Sequence, residues 1–201
     1  MARRDGSPRV AAAFAAVSRR DFLTPDQVRF AHLDRPLPIG HGQTISQPTT
    51  VRTMLELLDV QPGARVLDVG CGSGWTTALL AHLTGPTGTV LGVEIVPELV
   101  DFGQDNLARL PVDSLRGTAR ILPAVPGVLG LPDEAPFDAI LVSAEADSLP
   151  DPLVAQLRVG GVLVLPVAGR MTKVRREATG VDAVRLGAYS FVRLVSGAPE
   201  G

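Results

Sequence analysis

Apolar runs and amphipathic stretches alternate along most of the chain. Buried strands are predicted at the runs rich in Val, Ile and Leu, namely 65–70, 89–95, 119–122, 137–143 and 160–167. Helices are predicted at 10–20, from 48 onward, and at 74–83, 97–110 and 149–157. This alternation predicts right-handed crossovers and a mostly parallel, doubly wound α/β sheet. Two later apolar runs, 174–177 and 189–195, have no long helix between them, which predicts antiparallel strands at the C-terminal edge.

The same pattern divides the chain into three parts. Residues 1–47 combine a helix with a Pro- and Gly-rich stretch, residues 48–167 hold the alternating core, and residues 168–201 hold the closing strands. A length of 201 residues suits one α/β domain with a substantial core, so we expect a single domain over 1–201.

Composition narrows the classes of function. Hydrophobic residues make up 45% of the chain and charged residues 20%, with a net charge of −2, so no nucleic-acid or membrane partner is expected. Cys71 is the only cysteine, and His32 and His82 have no partner at metal-ligand spacing, which predicts neither a disulfide nor a metal site. The basic pair Arg3-Arg4 is not followed by an apolar run, and we expect a cytoplasmic monomer.

A glycine-rich turn follows the first core strand. The run 66–69 leads into Gly70–Gly74, with the pattern G-x-G-x-G. Such a turn lets the backbone approach a nucleotide-like ligand at the carboxyl end of a parallel strand. The dinucleotide fingerprint G-x-G-x-x-G would need glycine where Trp75 stands, and the alternative is a turn that only joins strand to helix. The predicted cofactor contacts are Asp68, Gly70, Cys71, Gly72 and Ser73. Cys71 is expected to fill the turn as a small residue, not to act as a reactive thiol.

Glu94 ends the second core strand and completes the expected nucleoside site. An acid about 20 residues after the glycine turn can accept hydrogen bonds from both ribose hydroxyls. The alternative role, that of an acid at a helix N-terminus, fits Glu98 better because Glu94 ends an apolar strand. Ile95 is predicted to line the same site.

Two stretches carry a resemblance to known enzymes. The stretch 66–74 resembles the first motif of class I S-adenosylmethionine-dependent methyltransferases. The segment 36–48, which contains Gly-His-Gly-Gln-Thr-Ile-Ser-Gln-Pro, resembles the substrate loop of the protein-L-isoaspartate O-methyltransferase family. Further similarity lies at 17–25, 31–34, 135–140, 156–161 and 190–192, so that the resemblance covers residues 10–196.

The resemblance implies a Rossmann-like fold, S-adenosylmethionine as cofactor, and methyl transfer to the α-carboxylate of L-isoaspartyl residues in damaged proteins or peptides. A carboxylate is ionised at neutral pH and a sulfonium is already activated, so the reaction needs donors that hold the acceptor more than it needs a base. Ser46 is the implied catalytic donor, with a helix cap before Pro48 as its alternative role. Substrate contacts are implied for Gln43, Thr44 and Ile45, and the backbone of Val192 is implied to pair with the substrate peptide. Since no acceptor proton is removed, His41 is expected to shape its loop.

Two departures from the family pattern bear on specificity. Val125-Pro126-Gly127 stands where the family usually has Gly-Asp-Gly, whose aspartate helps to recognise adenine. Either that role passes to backbone groups or to Asp133 or Glu134, or the affinity for the cofactor is weaker. Arg193 stands where the family commonly has proline, which would change how the substrate peptide lies against the last strand.

Three functions therefore stay open. The resemblance favours a repair methyltransferase that acts on isoaspartyl sites in many proteins. The alternatives are a methyltransferase for aspartate in one dedicated modified peptide and a non-catalytic nucleoside-binding or interaction module.

Overall fold

The apolar runs form strands and the amphipathic stretches between them form helices. The computed structural model describes residues 7–111, 115 and 117–195, so Arg3-Arg4 lies outside the described residues. The strands are β1 (Leu37–Gly40), β2 (Gln43–Ile45), β3 (Arg65–Val69), β4 (Thr89–Glu94), β5 (Thr118–Pro123), β6 (Phe137–Val142), β7 (Leu157–Val167), β8 (Arg170–Glu177) and β9 (Gly180–Ala188). The helices are α1 (Pro8–Ala16), α2 (Pro48–Leu58), α3 (Trp75–Thr84), α4 (Pro97–Arg109) and α5 (Asp151–Ala155).

Seven of these strands pair into one sheet in the order β5-β4-β3-β6-β7-β8-β9. The five strands β3 to β7 are parallel, and β8 and β9 are added as antiparallel strands. This arrangement confirms the predicted Rossmann-like, doubly wound α/β fold with antiparallel strands at the C-terminal edge. Helix α2 begins at Pro48 and β7 ends at Val167. No described helix is long and apolar enough to cross a membrane.

Apolar layers cover the sheet on both faces. Successive residues of a strand point to opposite faces, so Val66 of β3 packs into the layer shared with α1 to α4, and Leu67 into the layer shared with α5. Both side chains are fully buried. The apolar residues Val51, Met54, Leu55 and Leu58 form one face of α2, and all four are buried. Burial on both faces explains why the central strands are almost continuously apolar.

The strand order reverses between β3 and β6. From β3, the chain places β4 and β5 on one side and β6 and β7 on the other. The N–H of Ser143, just beyond β6, donates to the carbonyl of Val69 at the end of β3 (2.9 Å), which holds the two strand ends together. Ligands of open α/β sheets bind in the crevice that such a reversal leaves at the carboxyl ends of the strands.

The last predicted strand is wrong in position. It runs over 180–188, not 189–195, and it pairs with β8 across a tight turn in which Glu177 faces Gly180. Most of β9 is exposed, so backbone pairing defines it, and it lacks the apolar run that marks a buried strand. The apolar residues of 189–195 serve another purpose, because this extended segment runs beside Glu145 and bridges to it at Arg193.

Two helices are shorter than predicted. The first ends at Ala16, because Ser18 caps a separate 3-10 turn over Arg19–Phe22. The predicted helix 149–157 is reduced to α5, and β7 already begins at Leu157. Both changes occur at element ends, where the apolar periodicity carries least information.

A buried glutamine fastens the loop after β5 to the end of α5. The Gln156 side chain accepts a hydrogen bond from the N–H of Leu131 (2.8 Å) and donates to the carbonyls of Leu129 (2.7 Å) and Pro152 (3.0 Å). Gly130 leaves room for this amide, because a Cβ there would lie 2.4 Å from its oxygen. The loop thus depends on one side chain for its position.

Replacing this side chain tests that dependence. Gln156→Ala is expected to lower the free energy of unfolding by about 2–3 kcal/mol, because buried N–H and C=O groups lose their partners. Urea denaturation followed by circular dichroism measures the change. Gln104→Ala is the matched control, since exposed Gln104 donates one hydrogen bond, to the Ile121 carbonyl (2.9 Å). An equal loss of stability in both variants would contradict the proposed role of Gln156.

Candidate active site

A cleft of about 1090 Å³ opens at the carboxyl ends of β3, β4 and β6. The stretches that contribute to its wall are 39–46, 51, 69–76, 93–98, 124–130, 143–144 and 192–195. Small-molecule sites typically hold about 300–1,000 Å³, so the cleft has room for a cofactor together with part of a second molecule. The predicted site residues that line it are Gln43, Thr44, Ile45, Ser46, Gly70, Cys71, Gly72, Ser73, Glu94, Ile95 and Val192.

The glycine turn forms the floor of this cleft. Gly70, Gly72 and Gly74 have φ angles of 69°, 51° and 86°, in the left-handed region that favours glycine. A Cβ at Gly72 would lie 3.1 Å from the Ile39 side chain of β1, so a larger residue there would need that side chain to shift. Because the residues Gly70–Ser73 line the cleft, the turn fits the nucleoside cofactor that the sequence predicts.

Glu94 is buried at the end of β4 and organises the backbone on both sides of it. One carboxylate oxygen accepts from the N–H of Gly72 (2.9 Å), and the other from the N–H groups of Ile95 (2.8 Å) and Val96 (3.0 Å). A carboxylate has about four acceptor positions, so the oxygen that faces Gly72 keeps one for a ribose hydroxyl. Glu94 thus also serves the strand–helix junction, which was its alternative role.

The prediction that Asp68 contacts the cofactor needs correction. Its side chain is fully buried beneath the turn and is not part of the cleft wall. One carboxylate oxygen accepts from the hydroxyls of Thr76 and Thr77, both at 2.7 Å, and the other has no partner among the described residues. Burial raises the pKa of Asp68 to about 6, and the nearby charge of Glu94 contributes, while the two hydroxyls oppose the shift. Asp68 fixes the first turn of α3 and supports the cofactor turn from below.

Cys71 is a buried packing residue of the turn. Burial raises the pKa of its thiol well above the usual value, and the charges of Asp68 and Glu94 act in the same direction. Its sulfur packs against β4, where a Cβ on Gly92 would lie 3.0 Å away. A protonated, enclosed thiol supports the space-filling interpretation over a reactive one.

The Pro- and Gly-rich stretch before α2 contains a small hairpin. Strands β1 and β2 pair across Gly40, His41 and Gly42, which all have positive φ angles of 94°, 53° and 70°. His41 is exposed at the tip, and its Nδ1 lies 3.9 Å from the exposed carboxylate of Glu98. Such a surface contact contributes little energy. The position supports a loop-shaping role for His41.

Ser46 lies directly after β2 and lines the cleft. The N-cap of α2 is Gln47, whose side chain makes no capping hydrogen bond. Asp34 takes that function, since its carboxylate accepts from the N–H (2.9 Å) and the hydroxyl (2.6 Å) of Thr49. The helix-cap interpretation of Ser46 is therefore wrong. Residues Gln43–Ser46, which all line the cleft, form its acceptor segment.

Sequence reasoning assigned no role to Arg19, which the structure places behind the acceptor segment. Its guanidinium donates to the carbonyls of residues 33, 35, 45 and 46. Burial lowers the pKa of Arg19 to about 10, partly opposed by the charge of Asp34, so it stays charged at neutral pH. A signal was present, because Arg19 stands in a short stretch between Val17 and Phe22 whose apolar residues are buried. An arginine among core residues indicates a cation with internal partners.

The C-terminal segment closes one side of the cleft with its backbone already partly paired. The carbonyl of Val192 accepts from the N–H of Glu145 (2.7 Å), and the N–H of Leu194 donates back to the Glu145 carbonyl (2.7 Å). Backbone groups alternate sides along an extended chain, so those of Arg193 point away from Glu145. The backbone groups that this segment turns away from Glu145 are therefore those of Arg193, next to Val192, for which pairing with a substrate peptide is predicted. The guanidinium of Arg193 contacts the carboxylate of Asp147 (3.1 Å) at the exposed rim.

Neither acid suggested for adenine recognition is near the cleft. Asp133 and Glu134 lie in a 3-10 helix before β6, at the amino ends of the strands, and Glu134 pairs with Arg65 at the start of β3. The suggestion of these two acids is therefore wrong, because the chain between β5 and β6 returns from the carboxyl ends of the strands to their amino ends before Asp133. The suggestion of backbone groups stays a prediction. The cleft wall here consists of Ala124, Val128, Leu129 and Gly130.

The chain matches one family of known proteins over almost its whole length. The family model for protein-L-isoaspartate(D-aspartate) O-methyltransferase matches residues 2–198. A protein-L-isoaspartate O-methyltransferase from Aeropyrum pernix is 48% identical over 161 residues, which span 80% of this chain and 60% of that relative. One from Methanoculleus marisnigri is 41% identical over 198 residues, which span 96% and 86%.

A solved structure is similar over nearly the whole fold. It is the crystal structure of a protein-L-isoaspartate O-methyltransferase from Plasmodium falciparum in complex with S-adenosyl-L-homocysteine. The TM-score is 0.82 at 29% sequence identity, and the match covers 95% of this chain and 92% of that one.

The buried carboxyl of Asp68 predicts a pH dependence of stability. Its pKa is about 6 in the folded protein against 3.8 in the unfolded chain, so the folded state binds this proton more tightly. The contribution is full below the unfolded pKa and is lost as pH rises through about 6. Between pH 4.5 and 7.5 the wild type should lose about 2 kcal/mol relative to Asp68→Asn, which cannot ionise. Urea denaturation of both proteins across this range measures the difference. A difference that does not vary with pH would rule out this assignment.

Proposed function

Because the chain belongs to the protein-L-isoaspartate(D-aspartate) O-methyltransferase family, we propose that its cleft methylates the α-carboxylate of L-isoaspartyl residues in damaged proteins. The chain is an S-adenosylmethionine-dependent methyltransferase of protein repair. Membership in a family of enzymes also removes the support for a non-catalytic module.

One observation carries the proposed site: the acceptor segment and the cofactor turn face the same cleft. Ser46 lines it from the acceptor side, and Gly70–Ser73 and Glu94 line it from the cofactor side. Methyl transfer needs an acceptor oxygen held in line with the methyl group, and orientation of this kind supplies much of the rate in such reactions.

The cleft residues divide the work between cofactor and acceptor. Glu94 would hold the ribose, and the backbone of Gly70–Ser73 would hold the rest of the cofactor. When bound, S-adenosylmethionine supplies a methyl group that its sulfonium has already activated. Ser46 would donate its hydroxyl proton in a hydrogen bond to one oxygen of the acceptor carboxylate, leaving the other oxygen free to attack. Because that carboxylate is ionised at neutral pH, the chain needs no general base.

A dedicated peptide substrate is the second candidate, and Arg193 is the observation that favours it. Arg193 lines the cleft, and its backbone N–H would be missing in the proline that the family commonly carries. This N–H can donate to the carbonyl of an extended peptide added at the open edge. A substrate that exploits it would be recognised more selectively than a general repair substrate.

The remaining sequence predictions become part of the proposal. We propose that residues 1–201 act as one domain, as a cytoplasmic monomer, without a nucleic-acid partner. The net charge of −2 supports the last point, since proteins that bind nucleic acid present an excess of positive charge.

The primary test is methyl transfer from labelled S-adenosylmethionine to a short peptide containing L-isoaspartate. The same peptide with normal aspartate is the control. Label is expected only in the isoaspartyl form, and several unrelated flanking sequences should be accepted. Label in neither peptide, with cofactor binding intact by calorimetry, would exclude general repair and favour the dedicated substrate.

Two substitutions should separate turnover from cofactor binding. Ser46→Ala is expected to lower kcat by about 10- to 100-fold with little change in the Kd of S-adenosylmethionine, because it removes a hydrogen bond to a charged acceptor. Glu94→Ala is expected to raise that Kd by at least about 10-fold, because it removes a ribose acceptor and leaves the N–H groups of Gly72, Ile95 and Val96 without their acceptor. Steady-state kinetics and calorimetry measure the two quantities.

Ser148→Ala is the matched control for these measurements. Ser148 is exposed and lies outside the cleft wall, so both kcat and Kd should stay at wild-type values. Full activity in Ser46→Ala would show that the acceptor is held elsewhere.

A further inference from the structure

Arg19 is not part of the cleft wall, but its guanidinium donates hydrogen bonds to the backbone behind that wall. One terminal nitrogen donates to the carbonyls of Ile45 (3.2 Å) and Ser46 (3.0 Å), and also to that of Arg35 (2.8 Å). The other terminal nitrogen donates to the Leu33 carbonyl (3.0 Å). The side chain is buried, so it forms these bonds away from bulk water, where hydrogen bonds from a charged donor are strong.

The same guanidinium also reaches the cofactor side. It lies 5.7 Å from the centre of the Trp75 ring, within the range of a cation–π contact. Trp75 begins α3 directly after Gly74, and its indole N–H donates to the Val17 carbonyl (3.3 Å). A short path of direct contacts therefore runs from Ser46 through Arg19 and Trp75 to the glycine turn.

The acceptor segment is held at its other end as well. Asp34 binds Thr49 in the first turn of α2, three residues beyond Ser46. Ser46 thus lies between a backbone carbonyl fixed by a cation and a helix start fixed by an anion. Little freedom is left for its Cα position.

We propose that Arg19 is a positioning residue for methyl transfer, which sets the place of Ser46 relative to the cofactor turn. The inference rests on the proposed acceptor role of Ser46. A displacement of about 1 Å in such a geometry can lower the rate about 100-fold. The arrangement needs arginine, because a planar fork with five donors can serve several carbonyls at once, whereas the ammonium of lysine has three.

The test compares Arg19→Lys with Arg20→Lys. Arg20 is the exposed neighbour in the same 3-10 turn, and its replacement should leave every quantity unchanged. Arg19→Lys should lower kcat for the isoaspartyl peptide by at least about 10-fold, with the Kd of S-adenosylmethionine within about 2-fold of wild type. Amide hydrogen exchange should speed up by at least about 10-fold in residues 43–47 and stay unchanged in residues 70–74.

A purely structural role gives a different result. It would lower the thermal midpoint and speed exchange throughout the N-terminal third, with kcat unchanged below the transition. That outcome would overturn the proposal. A change in kcat together with an equal change in the Kd of S-adenosylmethionine would also overturn the proposal.

A second variant keeps the test decisive if Arg19→Lys does not fold. Asp34 is exposed, and Asp34→Asn should weaken the hold on Thr49 and loosen the same segment from its other end. It should therefore lower kcat and speed exchange in residues 43–47, and the absence of both effects would contradict the inference. Hydrogen exchange does not require turnover, so a wild type inactive on isoaspartyl peptides would refute the proposed function while the exchange data still decide on Arg19.

Discussion

Two buried carboxylates hold the turn on which the rest of the site depends. A strand that passes into a helix through three left-handed glycines leaves backbone N–H groups without helical partners. Glu94 accepts one of these groups, the N–H of Gly72, and also the N–H groups of Ile95 and Val96 after β4. Asp68 accepts from the hydroxyls of Thr76 and Thr77, and so ties the start of α3 to the end of β3. The raised pKa of Asp68 shows that this arrangement opposes stability at neutral pH. This loss of stability accompanies a turn whose backbone faces the cleft.

The opposite wall is built with the opposite charge. There a buried cation, Arg19, donates to several carbonyl groups, whereas Glu94 accepts from several N–H groups on the cofactor side. Both solutions use an ionised side chain to fix irregular backbone where neither helix nor sheet can satisfy it. Trp75 joins the two, since it starts α3 and also lies beside the guanidinium. The cleft is therefore a gap between two pieces of backbone that are each fixed internally and fixed to one another.

The sequence predicted what apolar periodicity and local motifs encode. The parallel core, the glycine turn and the place of Glu94 follow from residues close together in the chain. Contacts between residues far apart in the chain could not be predicted in this way. The apolar residues around Arg19 indicate a buried cation, but no local pattern shows that it contacts Ser46, 27 positions away. The exposed strand β9 was missed because its pairing gives no apolar signal. Glu134 was misplaced because it comes just before the parallel strand β6, and so lies at the amino ends of the strands, away from the cleft. Asp68 has the right position along the chain, but only packing shows that its carboxylate turns beneath the glycines.

Trp75 is the only tryptophan in the chain, and its surroundings join the N-terminal segment to the cofactor turn. Its ring meets Phe14 edge to face at 5.4 Å and is almost fully enclosed. The tryptophan fluorescence of the protein therefore comes from a single indole at the junction of the two walls of the cleft. Undocking of the N-terminal segment would expose this indole to water and shift its emission to longer wavelength. The molecule thus carries a native optical reporter of cleft assembly, which needs neither a label nor a substrate.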